Sequence, residues 1–265
     1  MIFLKALILG LVQGFSEFFP ISSSAHLTIF KSFLDFKVGS NFFFFDLICH
    51  LATTIVALYF LKKEIIRILS KDKKDIFFIF LAILPLFPIY FFLYPLVKKL
   101  SSENFLGFFL LLSSFLLFLA SSKRDKKISS QLGSRKIRDV LFIGVMQGMA
   151  LLPGMSRSAA TISGATFLGW RIKEAVYFSF LLAIPTIFGG IFLETIKAIK
   201  AEDLLYLSQV EIFTYIISFF SALISGFIAA RFIFSIKNVK KLKPFAWYCL
   251  FIGIFSIIYF NIKSL

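Results

Sequence analysis

Residues 10–28 read Gly-Leu-Val-Gln-Gly-Phe-Ser-Glu-Phe-Phe-Pro-Ile-Ser-Ser-Ser-Ala-His-Leu-Thr. Within an otherwise apolar stretch they set Gln13, Glu17, three consecutive serines (Ser22, Ser23, Ser24) and His26, one of 2 histidines in the chain. Polar and ionisable groups at membrane depth are costly and are functional suspects by default. Gln13 and Glu17 are four residues apart and share a helical face. Such an oxygen pair, with serines nearby, can hold a hard divalent cation such as Mg²⁺ or Ca²⁺ together with substrate phosphates. Ser22 to His26 is one helical turn, which puts an imidazole beside the hydroxyl run. A serine hydroxyl near His and Glu has the parts of an activated nucleophile. The plainer readings are a buried ion pair for Glu17 and a satisfied structural histidine for His26. Their shared company favours chemistry.

A second constellation lies at Pro153-Gly-Met-Ser156-Arg157-Ser158-Ala-Ala-Thr161. Pro and Gly end one half-helix, and Ser156 can cap the next. Arg157 adds a planar cationic fork suited to phosphate oxygens. Ser158 and Thr161 add hydroxyls on one side of a helix. Backbone N–H groups at a helix start, the helix dipole and an arginine together describe an anion site. The alternative is that the small residues only allow close helix packing while Arg157 snorkels to an interface. Apolar helix on both sides of Arg157 favours the anion site. Asp46 and His50, four apart, could support the site or cap a helix end, and Glu174 is similarly ambiguous.

The elements that must carry these groups are membrane spans. The chain has 265 residues, 59% of them hydrophobic, including 39 phenylalanines, and a mean hydropathy of +0.91. A soluble domain is about 45–50% apolar. Six segments are long enough to span a bilayer: 42–61, 76–97, 104–121, 174–196, 210–234 and 245–262. Residues 2–12 and 27–34 are too short, and Gly14 and Pro20 break the helix between them. They read as a re-entrant hairpin, tolerated at membrane depth only when its turn is buried in protein or lines a cavity. Residues 139–170 repeat the pattern: Gly10-Leu-Val-Gln13-Gly14 aligns with Gly144-Val-Met-Gln147-Gly148 at an offset of 134, and Ser22 and Ser24 fall on Ser156 and Ser158.

The expected fold is therefore an all-α polytopic membrane protein forming one integral domain over 1–265. Its halves, 1–130 and 131–265, would form an inverted-topology repeat, each half a re-entrant helix hairpin plus three transmembrane helices. The net charge of +15 lies mostly in loops 62–74, 122–138 and 235–243. That is a positive-inside pattern with those loops cytoplasmic, not a nucleic-acid groove, and no nucleic-acid partner is expected. A signal-peptide reading of the N-terminus (Lys5, an apolar run, then Ser23-Ser24-Ala25) would discard the polar cluster, so a retained segment is expected. Cys49 and Cys249 sit in apolar segments and read as buried hydrophobes.

The motifs Gln13-Gly-Phe-Ser-Glu17-Phe-Phe-Pro-Ile-Ser-Ser-Ser-Ala-His26 and Pro153-Gly-Met-Ser-Arg-Ser-Ala-Ala-Thr161 resemble the two signatures of the undecaprenyl-diphosphate phosphatase family, the bacitracin-resistance type. The resemblance covers nearly the whole chain. It implies hydrolysis of undecaprenyl diphosphate to undecaprenyl phosphate and inorganic phosphate. That reaction recycles the lipid carrier of peptidoglycan synthesis and confers bacitracin resistance. It also implies a bacterial cytoplasmic membrane location, an active site facing the outer side, and a divalent cation. Carried over by residue, it assigns Glu17, Ser23, His26 and Arg157 as catalytic and Gln13 with Glu17 at the metal. Ser22, Ser24, Ser156, Ser158 and Thr161 fall beside them as substrate-binding groups. This chain has Gln13 where the motif admits Glu or Gln, and Ala25 and Ala159 where glycine is common.

The expected partners are a polyprenyl diphosphate lipid and the bilayer. A homodimer is one assembly the sequence allows without fixing it. The nucleophile is Ser23 or a water activated by His26, a choice left open. The rival function is a transporter or flippase of a phosphorylated lipid or anion. It accounts for the repeat and Arg157 but leaves Glu17, Ser23 and His26 without a task.

Overall fold

The computed structural model describes residues 1–37, 42–71, 73–123, 136–200 and 208–263. Every regular element among them is helical. The first hairpin is α1 (Ile2–Phe18) and α2 (Ser23–Phe33). Then come α3 (Phe42–Ser70), α4 (Lys73–Ile83), α5 (Leu86–Leu100) and α6 (Leu106–Ser121). The second hairpin is α7 (Ile137–Gly148) and α8 (Arg157–Phe167), followed by α9 (Ile172–Lys200), α10 (Gln209–Phe234) and α11 (Lys243–Lys263). Six helical stretches are long and apolar enough to cross a membrane, so the chain is a multi-pass membrane protein. Of the basic loop 122–138, residues 124–135 lie outside the described residues, as does the boundary between the two halves.

The spans depart from the sequence reading in three places. The stretch 76–97 is two helices, because Pro85 has no N–H to continue α4 and the chain restarts at Leu86. Helix α3 runs to Ser70 rather than 61. Lys62, Lys63, Glu64 and Arg67 are good helix formers, and Arg67 Nε donates to Glu64 Oε2 at 2.9 Å one turn back. Gly14 does not break α1. It sits inside the helix at a contact with α10, where an added Cβ would lie 2.0 Å from Ser225 Oγ and 2.4 Å from the Ala222 carbonyl. Pro20 alone turns the chain.

Lipid gives apolar helices little reason to prefer one another over lipid tails, so close backbone approach carries much of the association. Helix α1 packs along α10, α7 against α4, and α6 against α11. Gly10 faces α10, and Gly144, 134 residues on, faces the Ala82 carbonyl of α4. The first hairpin thus leans on α10 and the second on α4. Phe91, Phe92, Phe220 and Phe251 stand exposed on the outside, as lipid-facing side chains do. At one edge, Lys263 Nζ donates to Ser32 Oγ at 2.6 Å and Lys5 Nζ to the Asp35 carbonyl at 3.1 Å. The ends of α11, α2 and α1 therefore meet there.

Candidate active site

The two hairpins place their turns on one cavity of about 460 Å³. Both turns are built alike. Ser22 caps α2, its Oγ accepting from Ala25 N at 3.4 Å, and Ser156 caps α8, its Oγ accepting from Ala159 N at 3.2 Å. Ser22 and Ser24 hydroxyls lie 3.3 Å apart, and so do those of Ser156 and Ser158. A serine cap leaves the first N–H groups of the helix without intrahelical acceptors, directed at the turn. The backbone is forced to do this. Ser22 has φ +71°, a conformation that costs a non-glycine residue about 1–3 kcal/mol. Gly154 has φ +97°, and a Cβ there would lie 2.7 Å from the Leu106 carbonyl.

Glu17 is where the two hairpins join. It projects from the end of α1 and is buried. Its Oε1 accepts from Arg157 Nη2 at 2.7 Å. Its Oε2 accepts from Ser23 Oγ at 2.8 Å and from Gln13 Nε2 at 3.1 Å, and His50 Nδ1 lies 3.3 Å away. Arg157 is further fixed by Nη1 donating to Thr186 Oγ1 at 3.3 Å. One carboxylate thus collects a serine hydroxyl from the first turn and a guanidinium from the second. Charge-assisted bonds of this kind are the strong ones, more so where water is scarce.

The cavity is lined by Glu17, Ser22, Ser23, Ser24, Ser156, Arg157 and Ser158 from the two motifs. Thr161 and His26 do not reach it. Thr161 Oγ1 meets Ser179 Oγ at 2.6 Å and so pins α8 to α9. His26 is buried behind the turn. Its Nδ1 lies 2.8 Å from the Ser22 carbonyl and its Nε2 2.9 Å from Tyr248 Oη, with the two rings stacked at 5.5 Å. The imidazole on the cavity wall is His50, with Nδ1 3.0 Å from Gln13 Nε2. Asp46, one turn before it on α3, also lines the cavity and is ion-paired with Lys31. Glu174 is not among the lining groups.

The sequence alone leaves His50 ambiguous and does not single out Thr186. The usable signal was the Asp46–His50 spacing, which puts both on the face of α3 toward the hairpin. Thr186 had no signal beyond following Pro185.

Gln13 and Glu17 as arranged do not fit a cation site. A carboxylate offers about four lone-pair positions, and those of Glu17 already face Arg157, Ser23, Gln13 and His50. Gln13 is wholly buried and does not line the cavity.

A family model described as bacitracin resistance protein BacA matches residues 6–255. The chain belongs to the BacA family. It is 40% identical to an undecaprenyl-diphosphatase of Protochlamydia amoebophila over 97% of this chain and 98% of that protein. Proteins of the same name from Carboxydothermus hydrogenoformans and Methanococcus vannielii are 34% and 32% identical, over 94% and 97% of this chain and 94% and 100% of their own lengths. A BacA chain thus carries the cavity built by the two polar turns.

Proposed function

We propose that this chain hydrolyses undecaprenyl diphosphate to undecaprenyl phosphate and inorganic phosphate, releasing the lipid carrier for another round of cell-wall synthesis. The observation that carries the reading is Glu17, which holds the Ser23 hydroxyl and the Arg157 guanidinium in one cavity. Family membership and the names of the relatives support it. A transporter or flippase would need the cation and the helix starts but would leave the Ser23–Glu17 hydrogen bond without a purpose.

Hydrolysis of a phosphoric anhydride needs charge neutralisation and positioning above all. Arg157 and the N–H groups that open α2 and α8 supply fixed positive ends for the diphosphate oxygens. Ser23 Oγ attacks the terminal phosphorus while its proton passes to Glu17. The bond from that phosphorus to the bridging oxygen breaks, and undecaprenyl phosphate leaves with the proton. Water then attacks the phosphoserine. Its oxygen goes to phosphorus, one proton returns through Glu17 to Ser23 Oγ, and inorganic phosphate departs. Direct attack by water held on Glu17 is the alternative course. His26, with both ring nitrogens engaged, holds the turn in this reading rather than taking the proton. Thr161 likewise acts by fixing α8. Gln13 and Glu17 as arranged offer no open ligand pair to the divalent cation that the family resemblance implies, so no step is drawn through it. Its ligands would come mainly from the diphosphate.

Phosphate release by the purified protein tests the reading. Wild type should turn over undecaprenyl diphosphate, while Glu17→Gln and Arg157→Ala should each lose about 10²–10³-fold in kcat. Absence of release from wild type with any divalent cation would sink it. Near-full turnover by Ser23→Ala would select water as the nucleophile, and a trapped phosphoserine at position 23 would select Ser23.

A further inference from the structure

Gln147 is the odd group in the cavity. It is 2% exposed, lines the cavity wall, and neither its Nε2 nor its Oε1 has a hydrogen-bond partner among the described residues. Buried polar side chains are almost always paired, so an amide with both ends unspent calls for a missing partner. Its counterpart 134 residues earlier, Gln13, has its nitrogen 3.1 Å from Glu17 and 3.0 Å from His50. In the second hairpin, the position corresponding to Glu17 is Leu151. The first hairpin spends its amide nitrogen on the carboxylate, with Oε1 unpaired among the described residues, whereas the second leaves both ends of its amide for what fills the cavity.

We propose that Gln147 is a substrate-positioning residue, its Nε2 donating to an oxygen of the bound diphosphate and its Oε1 accepting from the water consumed in hydrolysis. This rests on the phosphatase reading above. The chemistry of the amide selects the two ligands. Non-bridging phosphate oxygens accept, so they can satisfy Nε2 but not Oε1. An attacking water must present a proton to an acceptor, and Oε1 is a neutral one. Orientation of an attacking water by a glutamine is a known solution in phosphoryl transfer. The amide neither gains nor loses a proton. The water's oxygen bonds to phosphorus, the proton held on Oε1 stays with the phosphate product, and the other leaves through Glu17.

Two variants of the full-length purified protein test this, with undecaprenyl diphosphate as substrate and thermal unfolding alongside. Gln147→Met keeps the length and removes both polar atoms. It should lower kcat about 10²-fold while the melting temperature stays level or rises, because an unpaired buried amide has been replaced by an apolar group. Gln147→Glu keeps acceptors but sets a negative charge toward the diphosphate, so KM should rise about tenfold or more. Turnover within twofold of wild type in Gln147→Met would overturn the proposal. So would a melting temperature that falls along with activity, or failure of both variants to fold, since either makes the amide part of the scaffold. Lack of phosphate release by wild type is a different result and counts against the phosphatase reading itself.

Discussion

At the residue scale the chain solves a placement problem with one carboxylate. Glu17 would be a costly buried charge if it stood alone. Arg157, Ser23 and Gln13 surround it, so the cost is offset by the same contacts that align the reacting groups. The two histidines divide differently from their order in the sequence. Next to three serines, His26 reads as the base. In the structure its ring is spent on the Ser22 carbonyl and Tyr248 Oη, a partner 222 residues away. No spacing rule could have shown that partner, since it depends on how α11 packs beside α2. Tyr248→Phe should therefore act on stability first. It leaves a buried imidazole nitrogen unpaired, worth about 1–3 kcal/mol, and should lower the melting temperature while kcat falls by less than about tenfold. A Tyr248→Phe protein of unchanged stability that no longer turns over would move the His26–Tyr248 pair from scaffold into chemistry.

At the element scale, the hairpins owe their form to a few local choices that are readable without the structure. Pro20 and the Pro153–Gly154 pair stop helices, and a serine restarts each one. Helices α2 and α8 begin and end 134 residues apart, the offset at which the motifs align. Glycine is harder to read, because the same residue serves two opposed purposes. Gly154 is needed for its positive φ, whereas Gly14 is needed for what lies across from it. A helix-breaking reading of Gly14 fails because the tertiary contact with α10 outweighs intrinsic propensity. The contrast is measurable. Gly14→Val should destabilise by about 1–3 kcal/mol or more, since the obstacle is partly backbone and cannot swing away. Gly189→Ala, in a helix and with nothing within 4 Å of its new Cβ, should be neutral or stabilise by up to about 1 kcal/mol. Thermal unfolding of the two variants in one detergent compares them directly. Equal behaviour would mean that the α1–α10 contact is not a close one in solution.

At the scale of the whole molecule, the question is which side of the membrane the cavity serves. Hydropathy made the number of spans legible, because length and apolarity are set by the bilayer itself. Sidedness depends on charge. The basic groups Lys62, Lys63 and Arg67 in the C-terminal part of α3, Lys71 just after it, and Lys237, Lys240 and Lys241 before α11 predict a cytoplasmic location for those ends by the positive-inside rule. Three spans after each hairpin would then reverse the second half relative to the first, and the first turn is expected to enter from the outer side. Single cysteines test the arrangement against little background, because Cys49 and Cys249 are fully buried. A membrane-impermeant maleimide applied to intact cells should label Lys99→Cys and leave Lys241→Cys unlabelled until the membrane is opened. Ser24→Cys reports on the cavity itself, since Ser24 is exposed on its wall. Labelling of Ser24→Cys from outside means that the diphosphate is met, and phosphate released, on the outer face. Labelling only after permeabilisation would put both on the cytoplasmic side and reverse the orientation argued from charge.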